Sequence, residues 1–110
     1  MLEMTPVSSI DVSALEELQR KGPVVLIDVR SDAEVSRGMI YGARHVPLQA
    51  IPERYTGLDA SAVTVIYCQS GARSAQACAW LGSKGFQQIY NLEGGIGAWL
   101  RSGLALTPPV

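Results

Sequence analysis

Apolar positions in this chain follow two different rhythms, and their alternation sets the expected architecture. Val12, Leu15 and Leu18 recur at helical spacing, predicting a helix over residues 12–21 with Ser13 and Glu16 as a capping box. Gly22-Pro23 ends it. Val24-Val25-Leu26-Ile27 is a short unbroken apolar run, the pattern of a strand covered on both faces. Ser31 to Glu34 reads as a capped short helix closed by Gly38, and Ala43 to Val46, before Pro47, as another strand. A brief helix is expected near residues 49–54. Val63 to Tyr67, almost wholly β-branched or aromatic, is the strongest strand signal. A helix over residues 73–84 follows, with Ala75, Cys78, Ala79 and Gly82 as a thin face for close packing. Gly85 and Phe86 fit its carboxyl cap. Gln88 to Leu92 is a last strand, after which Ile96, Trp99 and Leu100 make a final amphipathic turn or two. Strands alternating with helices require crossovers, hence an α/β fold with a parallel sheet and helices on both faces. Ligands in such folds sit at the carboxyl ends of the strands.

At 110 residues the chain is one domain in size, and with 47% hydrophobic residues it can bury a core without metal or disulfide. The expectation is one domain over residues 1–110, with 103–110, which includes Pro108-Pro109, as a loose tail. Nine basic against ten acidic residues give no footprint for nucleic acid or an anionic membrane. Apolar runs are too short to span a bilayer. Glu3 and Pro6 stand where a signal peptide would be basic and then apolar, so a cytoplasmic location is expected. Cys68, Cys78 and a lone His45 do not suffice for a four-ligand zinc site, so no metal is expected. No exposed apolar stripe argues for a dimer, leaving a monomer as the default.

The chemistry gathers in Cys68-Gln69-Ser70-Gly71-Ala72-Arg73-Ser74, a thiol directly after a buried strand, a short loop and the first turn of a helix. Converging backbone N–H groups and the positive helix end make such a loop an anion cradle. A cysteine so placed has a lowered pKa and a large thiolate fraction at neutral pH. Gly71 lets the loop curl, and Arg73 is placed to present a planar cation to an oxyanion. Ser70 and Ser74 are placed either to hydrogen-bond an oxyanion or to close the loop.

This segment resembles the active-site loop of rhodanese-type sulfurtransferases, Cys-x-x-Gly-x-Arg-Ser. Asp28-Val29-Arg30, Gly42-Ala43 with Val46-Pro47-Leu48, and Leu92-Glu93-Gly94-Gly95 with Trp99 also look like motifs of that family, in order along the chain. The resemblance implies a five-stranded parallel sheet flanked by helices, with Cys68 heading the catalytic loop. It implies sulfur transfer from a donor such as thiosulfate to cyanide or a thiol through a Cys68 persulfide, with the N–H groups of Gln69 to Ser74 stabilising the sulfur anion and no cofactor. Four residues separate Cys68 from Arg73, one fewer than in the phosphatase relatives of the fold, which favours sulfur over phosphorus. Two departures stand out. Met39 and Tyr41 occupy positions where many members have histidine and proline, and Gln69 one that is often arginine, which leaves Arg73 as the loop's only cation. Weak thiosulfate binding would follow, with a protein-bound persulfide as donor. A persulfide carrier among sulfur-relay proteins and a non-catalytic interaction module are the alternatives, and the module's usual mark is loss of the cysteine present here.

Asp28 and Arg30 are expected in a supporting role, Asp28 bracing the loop through N–H groups or Arg30 meeting an anion, with capping or a pair to a neighbour such as Glu34 as the simpler reading. His45 is expected to pack or hydrogen-bond the backbone, and Trp80 and Trp99 to anchor packing. Cys78 reads as a small core residue, with a resolving cysteine as the lesser alternative.

Overall fold

In the computed structural model, which describes residues 6–109, the chain runs β1 (Ser8–Ile10), α1 (Val12–Lys21), β2 (Val25–Asp28), α2 (Asp32–Val35), β3 (Arg44–His45), α3 (Ile51–Arg54), β4 (Thr64–Tyr67), α4 (Ala72–Ser83), β5 (Ile89–Leu92) and α5 (Gly95–Arg101). Residues 1–5, with Glu3 of the expected non-leader start, and residue 110 lie outside the described part. The five strands form one parallel sheet in the order β1-β5-β4-β2-β3. Among the described residues no helix is long and apolar enough to cross a membrane.

Side chains alternate across each strand, and the two faces fill separate cores. Ile27, Ile66 and Cys68 face α3 and α4, packing with Ile51, Ala77, Cys78 and Leu81. Leu26, Val65 and Tyr67 face α1 and α5, packing with Leu15, Ile96 and Trp99. Each of these side chains is buried, so both faces of β2 and β4 must be apolar, as their continuous runs require. The alternation therefore decides on which side of the sheet the sulfur lies.

Several local expectations are corrected. Asp11, not Ser13 with Glu16, caps α1, because its carboxylate reaches the Ala14 N–H at 2.8 Å. A capping box does occur at α2, between Ser31 and Glu34. The buried face of α4 runs through Ser74, Ala77, Cys78 and Leu81, while Ala75 and Gly82 are only half-buried. Its cap forms as read, with Phe86 N–H donating to Leu81 O and Gly85 N–H to Gly82 O. In α5, Ile96 and Trp99 turn inward and Leu100 is exposed.

Residues 104–107, within the segment expected to be a loose tail, are tied down. Met39 and Thr107 exchange backbone hydrogen bonds of 2.8 Å, Trp99 Nε1 donates to Ala105 O at 2.9 Å, and Leu104 and Leu106 pack on the α1–α5 side. Thr107 meets the buried Met39, a residue that stands at one of the departures from the family pattern. Tyr41, at the other, is exposed.

Candidate active site

Cys68 is the first residue beyond β4, and the chain after it curls back so that its own N–H groups face the sulfur. Gly71 N–H donates to Cys68 Sγ at 3.0 Å, and Ser74 Oγ lies 3.4 Å from it. Gly71 takes the left-handed conformation, φ 107°, that this curl needs. Burial opposes ionisation of Cys68, but the Ser74 hydroxyl and the N–H groups of Ser74, Gly71 and Ser70 outweigh it and hold the thiol below its ordinary pKa. Cys78, one helical turn beyond Ser74, has only burial and the neighbouring Cys68, and is pushed up to about 12. Iodoacetamide at pH 7 is therefore expected to modify Cys68 well before Cys78, a preference that peptide mapping reads directly.

The loop rests on α5. Ile96 N–H donates to Cys68 O at 3.0 Å and Gly97 N–H to Gln69 O at 3.2 Å, so the first turn of α5 satisfies the carbonyls that the curl turns outward. Gln69, Ser70 and Ala72 are exposed at the rim, and Ser74 is fully buried at the base. Of the two roles open to Ser74, its contact with Cys68 Sγ at 3.4 Å fits closing the loop.

Arg73 is not free in the loop. Its guanidinium makes two parallel hydrogen bonds to Glu34 of α2, at 2.7 and 2.8 Å, a charge-assisted fork across the mouth of the site. With Arg73 first and Ser31 also donating, the Glu34 carboxyl falls to about 2. A carboxyl lowered in the folded state stabilises it above the ordinary pKa near 4.5 and loses that contribution as pH falls toward about 2. Glu34→Gln is therefore expected to flatten the fall of Tm between pH 4.5 and 2, measured by thermal melts against wild type.

Asp28 and Arg30 pair with each other instead of with Glu34 or the loop. Their buried ion pair is 2.8 Å long, and Asp28 Oδ1 also accepts the Arg30 N–H at 2.9 Å. The same guanidinium donates to Gly38 O at 2.7 Å and lies 5.9 Å from the Tyr67 ring centre, while Tyr67 Oη accepts the Ile40 N–H at 3.0 Å. Asp28 thus does not brace the cysteine loop. The cluster instead ties the end of β2 to residues 38–40 beneath the residue that precedes Cys68. His45 Nε2–H donates to Arg30 O, 2.7 Å away, the backbone role expected of it.

One contributor escaped sequence reasoning. Asn91 of β5 is buried, accepts from Ser74 Oγ at 2.5 Å and donates through Nδ2 to Gly71 O at 3.1 Å. Its signal was a lone amide within an otherwise apolar strand next to the cysteine-bearing one, since a buried amide needs partners. Beside the loop lies a shallow cavity of about 330 Å³, lined by Arg30, Glu34, Arg37, Gln69, Leu100 and Leu106 among others. A larger hollow of about 640 Å³, near Val24 and Val63, lies at the opposite ends of the strands and holds neither cysteine.

A parallel sheet with a thiol heading the loop beyond its central strand defines a class of α/β proteins whose site lies at the carboxyl ends of the strands. Residues 11–102 match the rhodanese-like domain family model, and the chain belongs to that family. It is 43% identical over 104 residues to a protein named sulfurtransferase from Allochromatium vinosum, covering 94% of this chain and 97% of the relative. It is 32% identical over 83 residues to the thiosulfate sulfurtransferase GlpE of Pseudomonas putida, covering 76% of each. The crystal structure of a rhodanese-related protein from Thermoplasma volcanium superposes with a TM-score of 0.82 at 28% identity, covering 91% of this chain and 97% of that one. These matches support a rhodanese-family sulfurtransferase.

Proposed function

We propose that the protein moves a sulfane sulfur from a thiosulfate-like donor to a thiol or cyanide through a persulfide on Cys68. The observation that carries this reading is the sulfur itself, set at the head of a loop whose Gly71 N–H and Ser74 hydroxyl point at it. Cys68 thiolate attacks the outer sulfur of thiosulfate, the bond to the sulfite sulfur breaks, and sulfite leaves with the bonding pair. The negative charge then rests on the outer sulfur of the persulfide, within the field of the Gln69 to Ser74 N–H groups and the amino end of α4. An acceptor attacks that outer sulfur, takes it as thiocyanate or a new persulfide, and returns Cys68 as thiolate. No resident cofactor takes part in these steps.

The free and sulfur-charged forms alternate, so ping-pong kinetics are expected. Initial rates with thiosulfate and cyanide varied together should give parallel double-reciprocal lines. Intersecting lines, which require both substrates bound at once, would overturn the scheme.

A second reading concerns the donor. Arg73 is engaged by Glu34 and Gln69 is neutral, which favours a sulfur delivered as a protein persulfide over free dianionic thiosulfate. A carrier of this kind would discharge a protein persulfide at a higher kcat/KM than thiosulfate, and the reverse order would reject it.

A further inference from the structure

We propose that Asn91 is a positioning residue that holds the Ser74 hydroxyl proton whenever Cys68 does not use it. The Ser74 hydroxyl carries a single hydrogen, yet two acceptors lie within its reach, Asn91 Oδ1 at 2.5 Å and Cys68 Sγ at 3.4 Å. The orientation of the amide is set by its other end. Asn91 Nδ2 donates to Gly71 O at 3.1 Å, and a flipped amide would bring two carbonyl oxygens together there. Oδ1 must therefore face Ser74. Parallel pairing of Ile66 with Asn91 fixes this amide beside the strand that leads into Cys68, and only 6% of the residue is exposed.

The consequence is a competition. With Cys68 as a thiol, S–H donates to Ser74 Oγ and the hydroxyl hydrogen stays on Asn91. With Cys68 as a thiolate, that hydrogen turns to sulfur and a buried Asn91 oxygen loses its donor, which costs free energy. Once Cys68 carries a second sulfur, the inner atom is neutral and the charge has moved outward, so the hydroxyl returns to Asn91. Asn91 thereby weighs against the free thiolate and in favour of the thiol and the sulfur-charged form. This last step rests on the persulfide reading. The competition itself does not.

The test is a double-mutant cycle read as the pKa of Cys68, obtained from the pH dependence of iodoacetamide alkylation at its peptide. The other ionisable groups around the sulfur, Arg73 and Cys78 on α4, Glu34 on α2 and the Asp28–Arg30 pair, are the same in all variants. Asn91→Leu removes the competing acceptor and also the bond to Gly71 O, which keeps the Ala75 N–H as a donor. Subtracting the Asn91→Leu shift measured in a Ser74→Ala background from that in the wild-type background isolates the part that runs through the hydroxyl. That difference is expected to be a lowering of about half a unit to one unit. Asn91→Ala, a smaller side chain that removes the same acceptor, should give a difference of the same sign. Equal shifts in both backgrounds, for whichever variant folds, would overturn the proposal. Alkylation needs no sulfur transfer, so a protein that shows the coupling but no turnover would count against the proposed function alone.

Discussion

Cys68→Ser is expected to lower kcat/KM for thiosulfate and cyanide by at least about a thousandfold while leaving Tm close to wild type. The two parts have different causes. A serine hydroxyl accepts the same Gly71 N–H and fits the same buried space, so the loop keeps its shape. Ionisation is what fails. The N–H groups and the Ser74 hydroxyl that lower the thiol's pKa cannot lower that of an aliphatic alcohol far enough to ionise it, and no base within the loop takes its proton. His45, the only histidine, is turned to Arg30 O. Steady-state kinetics and a thermal melt of the same preparation check both parts, and a variant that retains a tenth of wild-type turnover would show that another group carries the sulfur.

Gly95→Ala is expected to do nearly as much damage by a route that leaves every catalytic group in place. Gly95 has φ +52°, and a Cβ there would lie 2.3 Å from Cys68 O and 2.9 Å from the carbonyl carbon and oxygen of Gln69. All three are backbone atoms, so no side chain can step aside. Either α5 withdraws, losing the bonds from Ile96 and Gly97 to the loop carbonyls, or the loop shifts with its sulfur. A strained backbone plus two lost hydrogen bonds comes to about 3 kcal/mol or more, which lowers Tm by at least about 10 °C in a chain this size. A displacement near 1 Å at the reacting atom costs on the order of a hundredfold in rate. Gly97→Ala is the control, because its Cβ would press on the flexible end of Arg101 at 3.1 Å and lie at ordinary contact distance, 3.8 Å, from Gln69 O. Activity and Tm for the pair should separate sharply, and equal effects would show that α5 does not hold the loop.

What the sequence disclosed and what it withheld follow from how far each interaction reaches. The β-branched runs that make β2 and β4 and the spacing that makes α1 are local signals, and each element lies within about two residues of its expected place. The cysteine loop was equally legible, since strand, glycine and helix start are contiguous. β1 was not. Ser8 and Ser9 are exposed and only Ile10 is half-buried, so this strand exists by pairing with β5, some eighty positions later. The same applies to residues 104–107, whose partner is Met39, and to Arg73, whose charge is taken by Glu34 from a different helix. Asp28 and Arg30 are neighbours in sequence, yet their pairing depends on Gly38 and Tyr67 closing over the guanidinium. Asn91 reaches Cys68 through Ser74 and Gly71, a relation that the sheet order creates.

The central claim is that Cys68 holds the sulfur in transit. Intact-protein mass after brief exposure to thiosulfate, without reductant, tests it most directly on wild type, Cys68→Ser and Cys78→Ser. The account predicts one added sulfur atom on wild type and on Cys78→Ser, removed by cyanide, and none on Cys68→Ser. An adduct that survives in Cys68→Ser, or that is lost only in Cys78→Ser, would contradict it.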